Sequence, residues 1–453
     1  MHRTLLSFDL HSISAETKFF LIRFVQLYGV IQPMRMGVKE LAKATGATDR
    51  VVSRSLDDLV ELELLDRRRI DNGARGRNKR EHQCSSRLIK LLEDMRKNTS
   101  LTHEHRIDHV LNGASQPEGS ELNITNRLLL VVLLSQADQF GIVRSLGLSD
   151  LSKRTGLNRE RVKAQLHKLH SLGVIRTSVA GMSSAEIFRP AKSIYFLNLH
   201  ACTLKLGDQT AIILVLPSDT GHYLNDMNEA MRIVHLASIG RGREFPSMTG
   251  ILRLLPDNTH FKTLAALFYP KIKGLQLIPF LQAKLDEYAS FLISKYRHTI
   301  FFDSPFLDHE LLEIIRADFK PPTSEGARRL SSAAQDYENP ILVDFLYKVS
   351  FRLASELKEV FSIEKMPFEK IDFQILPNSD TAYRLGKHSR PRTLLAIPHN
   401  ATSKGACYVL KKIEGGALGY IRFENEENIQ REDRYKYGLL TKTNAPKRYG
   451  LRS

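Results

Sequence analysis

Two short stretches of this 453-residue chain carry side chains suited to the same chemistry. Thr48, Arg50, Ser53 and Arg54 form the first, and Asn158, Arg159, Lys163 and His167 the second. A basic run, RRRIDNGARGRNKR from Arg67 to Arg80, follows the first stretch and adds Arg68, Arg69, Arg75, Arg77, Lys79 and Arg80. These side chains are mainly donors and cations. A guanidinium can hold O6 and N7 of guanine with two hydrogen bonds, and an asparagine amide can do the same for N6 and N7 of adenine. Cations in a loop suit phosphates, and Arg75-Gly76-Arg77 suits a narrow minor groove, whose negative potential draws arginine. The chemistry implied is recognition of double-stranded DNA, with base edges met by the compact clusters and the backbone by the basic run.

Such groups need rigid elements behind them, and the chain repeats the same framework twice. GVKELAKATGATDRVVSRSLDDLVELELLDR (37–67) aligns without a gap on GLSDLSKRTGLNRERVKAQLHKLHSLGVIRT (147–177), an offset of 110 residues. The shared positions are Gly37/Gly147, Leu41/Leu151, Lys43/Lys153, Thr45/Thr155, Gly46/Gly156, Val52/Val162, Leu56/Leu166, Leu59/Leu169 and Leu62/Leu172. Most are apolar or glycine, the types that hold two short helices at a steep angle around a tight turn. With Val52 at zero on a helical wheel, Leu56 falls near roughly 40° and Leu59 near roughly −20°, while Arg50, Ser53, Arg54 and Asp57 fall between roughly 100° and 200°. One face is set to pack and the other to stay polar. In the second copy Val162, Leu166 and Leu169 take the packing face, opposite Glu160, Lys163, Ala164 and His167, with Asn158 and Arg159 at the helix start. An apolar helix is expected ahead of each copy, at Thr17–Tyr28 and Thr125–Ala137, and Asp71-Asn72-Gly73 supplies a hairpin turn within the basic run.

Taken together, 14–80 and 122–199 resemble the winged helix-turn-helix modules of MarR-like and GntR-like bacterial regulators. The resemblance covers under half of the chain and is a superfamily pattern. It implies a three-helix core, a second helix of the turn that enters the major groove, and a wing that lies along phosphates. The first wing is strongly basic, whereas the second, Thr177–Arg189, is nearly uncharged, so the first copy is expected to be the better DNA binder. Ser85–Lys97 reads as an amphipathic helix, and helices after a wing often pair between subunits in such regulators. The resemblance thus points to a homodimer through Leu88, Leu91, Leu92 and Met95, or else to packing of that helix on its own domain.

Charge supports the reading. The chain carries 66 Lys and Arg against 50 Asp and Glu, a net +16. Residues 1–200 hold 31 basic and 21 acidic side chains, 201–380 hold 20 and 23, and 381–453 hold 15 and 6. The excess therefore sits at the two ends, as expected where phosphates are met. At 42% hydrophobic residues the chain can bury several cores. The expected class is α+β and multidomain: winged helix-turn-helix modules at 1–98 and 122–200 joined by a polar linker at 99–121, a mainly helical α/β middle domain at 201–370, and a basic, β-rich region at 371–453. In the middle, a buried strand is expected at Ala211–Leu216, helices at His222–Ser238, Leu275–Arg297, Leu307–Asp318 and Ile341–Ile363, and a loop at Lys320–Asp336. Further strands are expected at Ile371–Leu376, Thr393–Ile397, Ala406–Lys412 and Ala417–Phe423. The last forty residues are basic and aromatic, with Arg431, Arg434, Tyr435, Lys436, Tyr437, Lys442, Lys447, Arg448 and Tyr449, and suit phosphate tracking and base stacking.

Catalytic readings fare less well. His103, His105, His109 and Asp108 are the one histidine cluster, yet HEHRI lacks the HExxH zinc spacing, and no GxxxxGK[ST] loop occurs. Tyr449 with Lys447, Arg448 and Arg452 lacks the rest of a recombinase constellation. Three dispersed cysteines imply neither a disulfide framework nor a zinc site, and no apolar run suits a signal peptide or bilayer span. The expectation is a non-enzymatic, cytoplasmic and nucleoid-associated DNA-binding protein without cofactor or metal. The foremost reading is a regulator of a bacterium or mobile element. A plasmid-type replication initiator is the first alternative, and a nuclease or recombinase with its catalytic part in 201–453 the second.

Overall fold

A helix that is apolar on every side has to be buried on every side, and the two segments ahead of the repeats are of that kind. In the computed structural model the first becomes α1 (Ala15–Tyr28) and the second α6 (Ile124–Leu134). Every residue from Phe19 to Val25 and from Leu128 to Leu134 is buried. The structure describes residues 2–9, 13–70, 79–95, 101–113, 122–182, 187, 190–204, 211–217, 230, 231, 234, 238, 258–268, 277–300, 306–319, 332–361, 371–377, 391–399, 405–412 and 418–441. Ser14 and Asn123 begin these helices alike: each side-chain oxygen accepts the amide hydrogen three residues on, Thr17 N at 3.1 Å and Asn126 N at 2.8 Å, filling a donor that a first turn leaves open.

After α1 come α2 (Val38–Thr45), α3 (Asp49–Glu61), the antiparallel hairpin β1 (Leu65–Ile70) and β2 (Lys79–Cys84), and α4 (Ser86–Met95). The second copy follows α6 with β3 (Ile142–Val143), α7 (Leu148–Thr155), α8 (Arg159–Ser171), β4 (Ile175–Val179) and β5 (Ile194–Leu197), the three strands ordered β3-β5-β4. Each shorter helix stops on a left-handed glycine, Gly46 at φ 71° and Gly156 at φ 72°, a conformation that costs any residue with a Cβ. The match extends past the longer helices. Leu64 N donates to Leu59 O at 2.9 Å and Val174 N to Leu169 O at 3.0 Å, and the residue before each has positive φ: Gly173 at 71° and Glu63 at 57°.

The expected linker at 99–121 is corrected in part. Residues 104–112 form α5 (Glu104–Asn112), whose Ile107, Val110 and Leu111 are buried, because an Ile-x-x-Val-Leu stripe within a polar stretch is enough to make one packing face; 114–121 lie outside the described residues. The dimer stripe on α4 is corrected as well. Leu88 is 2% exposed and Leu92 fully buried, both in the chain's own core, so they are not surface contacts for a second copy.

The described residues divide into two units, the first within 1–176 and 195–207 and the second within 177–194 and 208–441. The expected boundary at 370 runs through the second unit. There β6 (Ile212–Leu216) is the central strand of a five-stranded sheet ordered β10-β9-β6-β8-β7, whose other members are β7 (Ile371–Leu376), β8 (Arg392–Pro398), β9 (Cys407–Lys412) and β10 (Leu418–Phe423). A strand buried at all five positions, as β6 is, needs neighbours on both edges, and its partners come from the chain's far end. Helices α9 (Asn258–Phe268), α10 (Leu277–Tyr296), α11 (His309–Asp318) and α12 (Ser332–Phe361) accompany the sheet. On α10, Ser294 Oγ accepts from Phe373 N at 2.8 Å and Ser290 Oγ from Ile375 N at 2.9 Å, which fixes the helix to β7. Asp286 and Arg392 pair at 3.0 Å, both nearly inaccessible. Helix α12 begins inside the loop expected at 320–336, of which 320–331 lie outside the described residues, as does most of the helix expected at His222–Ser238. The basic aromatic segment is α13 (Arg431–Lys436) rather than strand, and Lys442, Lys447, Arg448 and Tyr449 lie outside the described residues. The class is thus α+β with more than one unit. Among the described residues, no helix is long and apolar enough to cross a membrane.

Candidate nucleic-acid interface

The polar face expected on α3 is at the surface. Val52, Leu56 and Leu59 are buried, and Thr48, Arg50, Ser53 and Arg54 are exposed, the Arg54 side chain at 74%. Thr48 caps the helix by accepting from Val51 N at 3.4 Å, so its hydroxyl is part of the helix start as well as of the surface. The second copy divides in the same way. Val162, Leu166 and Leu169 are buried; Asn158, Arg159 and Lys163 are exposed, and His167 is half-buried. Asn158 Oδ1 accepts from Arg161 N at 2.9 Å, which leaves its amide nitrogen free of the cap. Lys163 reaches Glu160 at 2.8 Å on the open surface, a pair that contributes little and yields readily to another anion.

The hairpin stands beside α3. Arg67 on β1 donates to Asp57 on α3 at 2.8 Å, tying the arm to the helix and holding it in one register. Arg68 and Arg80 are exposed on the two strands, and Arg69 and Lys79 lie on them too, paired with Arg80 and Ile70 respectively. Arg75 and Arg77 lie outside the described residues. His82, buried on β2 between cations, has its pKa pushed down to about 4, chiefly by desolvation and then by Arg67 and Arg80. It is neutral at physiological pH and adds no charge to the hairpin. In the second copy β4 and β5 stand where a matching hairpin is expected, and 183–186 with 188–189 lie outside the described residues.

Sequence reasoning missed the seam between the copies. One apolar core runs through both: Phe19, Phe20, Leu56 and Leu59 of the first belong with Leu128–Leu134, Val162 and Leu169 of the second. The seam is reciprocal. A Cβ on Gly156, in the turn of the second copy, would lie 2.6 Å from Ile13 O and 3.3 Å from Ala15 N at the start of α1. A Cβ on Gly46, the equivalent turn in the first copy, would lie 3.6 Å from Arg127 Nη1 at the start of α6. Each turn therefore abuts the other copy's first helix, the mutual arrangement of a two-fold contact. The caps Ser14 and Asn123 put Lys18 in register with Arg127, four residues on, and both are buried cations at the seam. Lys18 donates to Phe8 O at 2.6 Å and to Arg154 O on α7. Desolvation pushes its pKa down to about 7, with Asp9 opposing the shift and Arg154 adding to it. Arg127 donates to Val110 O at 2.9 Å and to Leu111 O, and its guanidinium lies 4.9 Å from the Phe19 ring centroid. Desolvation, then Arg23, brings its pKa down to about 10. The sequence signal was present: a cation near the start of each mostly apolar helix.

Arg161 was missed too. It projects from α8 between Asn158 and Lys163 and donates to Glu16 on α1 at 2.9 Å. Burial raises the Glu16 pKa, but hydrogen bonds from Arg161 and the backbone, with the charges of Arg161 and Arg54, overcome this and hold the carboxyl below its usual value. Glu16 thus feels a cation from each of the two exposed helix faces. No family model matches the chain, and no curated protein matches it.

Proposed function

We propose that the protein binds double-stranded DNA sequence-specifically, that its two repeats are winged helix-turn-helix modules, and that α3 and α8 are their recognition helices. The observation that carries this reading is the division of both helices: Val52, Leu56 and Leu59 and their counterparts Val162, Leu166 and Leu169 are buried, whereas Thr48, Arg50, Ser53 and Arg54 and, in the second copy, Asn158, Arg159 and Lys163 are exposed. A groove-entering helix needs that division, because its first turns meet base edges while its back holds the fold. Arg50 and Arg54 suit guanine, Asn158 suits adenine, and Arg68, Arg69, Lys79 and Arg80, with Arg75 and Arg77, suit phosphates along the wing. The protein acts by occupying an operator as a regulator of a bacterium or mobile element, in the cytoplasm with the nucleoid, by binding rather than catalysis. Any homodimer forms through surfaces other than Leu88 and Leu92.

A plasmid-type replication initiator is the second reading, favoured by the shared core, which packs α3 and α8 into one apolar cluster without a second chain. Footprinting separates the two: a palindrome marks the regulator and tandem direct repeats the initiator. The reading itself is tested with duplexes selected from a random pool. Replacing Arg50 or Arg54 by Ala should cost about 1–3 kcal/mol on the selected site and relax preference at one base position. Wild-type protein that ignores every duplex at low ionic strength refutes it.

A further inference from the structure

An open cleft of about 830 Å³ lies along the seam between the two repeats, and its lining includes Glu16, Gly46, Thr125, Arg127, Arg161 and Gln165. Three features of these walls suit an anion. Arg127 is 8% exposed, and among the described residues it has no carboxylate partner; two of its nitrogens are held by carbonyls of α5, while Nη1 lies 3.2 Å from where a Cβ on Gly113 would stand and 3.6 Å from where one on Gly46 would. A buried guanidinium balanced only by helix-end carbonyls is short of negative charge. Arg161 also lines the cleft and, among the described residues, is engaged by Glu16 alone through a partly exposed pair. The first turn of α6 also opens here, and the amides of Ile124 and Thr125 are donors that no intrahelical bond uses. Asn123 Oδ1 is occupied by Asn126 N and Thr125 Oγ1, and Gln165 Oε1 by Asn126 Nδ2. Glu16 is the one acidic group among the cleft's described walls, and it pairs with Arg161 at 2.9 Å.

We propose that this cleft is a phosphate-binding site, in which a phosphate displaces Glu16 from Arg161 and is held by Arg161, Arg127 Nη1 and the first amides of α6. Two sources offer that chemistry: the backbone of a bound duplex and a free phosphate ester. The duplex assignment rests on the DNA-binding reading above, because the cleft lies beside Gly46, just ahead of α3, and includes Arg161 and Gln165 of α8. A phosphodiester crossing the seam would couple the two recognition helices through one contact.

The site predicts opposite effects for two partners in one ion pair. Arg161→Gln should weaken duplex binding about tenfold, equally on selected and random sequences, and reduce the slope of log affinity against log salt by about 0.9. Glu16→Gln, nearly isosteric, should tighten binding severalfold. A bridge that only fastens α1 to α8 requires both changes to act in the same direction, and that result overturns the proposal. Pyrophosphate titrated into the full chain without DNA, followed by calorimetry, tests the second source. Pyrophosphate that binds wild type, binds Glu16→Gln more tightly and Arg161→Gln more weakly, and competes with duplex assigns a free phosphate ester. If the opposed effects appear with duplex while pyrophosphate gives no heat, the ligand is the duplex backbone. Should wild type bind no duplex at all, the DNA-binding reading fails and the pyrophosphate arm alone decides the cleft: binding with the opposed effects upholds it, and absence of binding refutes it.

Discussion

Gly46 and Gly156 are a natural matched pair for asking whether the two repeats form one body. They occupy equivalent positions, end equivalent helices, and share a left-handed backbone, φ 71° and 72°. Replacing either by alanine imposes the same conformational cost, about 1–2 kcal/mol for a Cβ in that region, reduced by about 0.4–1 kcal/mol because alanine also restricts the unfolded chain. Gly46→Ala should therefore cost about 1 kcal/mol, since its Cβ meets only the far end of Arg127 at 3.6 Å. Gly156→Ala carries a second cost. Its Cβ would stand 2.6 Å from Ile13 O, with Ala15 N at 3.3 Å and Ser14 C at 3.4 Å, all backbone atoms that cannot rotate away. The start of α1 or the turn of the second copy has to move, and overpacking of that kind costs about 1–3 kcal/mol. Urea unfolding of the two variants, compared at equal m-value, reads the difference directly. Gly156→Ala should be the less stable by about 1–3 kcal/mol. Equal losses would mean that the second copy's turn does not meet the start of α1 and that the two repeats do not pack against each other there.

Two other predictions concern the same unit. Glu63 is the sole described non-glycine residue with positive φ, and its repeat partner is Gly173, so Glu63→Gly should raise stability by about 0.5–1 kcal/mol, the left-handed penalty removed less the entropy a glycine adds to the unfolded chain; a loss in thermal unfolding contradicts this. Lys18 titrates near 7 in the fold and near 10.4 when unfolded. Below pH 7 it is charged in both states and its burial cost is at its full value. Between the two pKa values the unfolded chain holds a proton that the folded one has released, so stability rises with pH, by a total on the order of 4 kcal/mol. Lys18→Met lacks that slope, and denaturant midpoints from pH 6 to 10 should show a nearly constant difference below pH 7 and wild type gaining on the variant above it. A constant difference refutes the buried-cation assignment.

What the sequence made legible was local. The ungapped offset of 110, the glycines at 46 and 156, and the three-four spacing of Val52, Leu56 and Leu59 are each satisfied within one module, and the elements formed where those patterns lie. The strands of the second unit were legible too, and match their expected ranges to within a residue or two at each end. What escaped was non-local. The roles of Lys18 and Arg127 were not legible because their partners, Arg154 O and the end of α5, are supplied by distant or unrecognised segments. The stripe on α4 shows apolar residues at helical spacing, but spacing alone does not say which core receives Leu88 and Leu92. For β6, five apolar residues announce burial and leave open that β9 pairs with it in parallel and β8 antiparallel from nearly two hundred residues away.

The clue to the seam was nevertheless written in α1 and α6. An ordinary three-helix module gives its first helix one face to bury, and the others stay polar. Here both first helices are apolar almost all round, which only a second layer can satisfy. Each copy is that layer for the other, so the repeats were selected as a pair and not as two independent modules on a tether. A tethered pair would explore many separations on a duplex, and most of its second contact would be lost to the disorder of the tether. A fused pair has a single separation. On the DNA-binding reading proposed above, its specificity would include the distance between the features it reads, and a target altered only in spacing should lose affinity although every contacted base is retained.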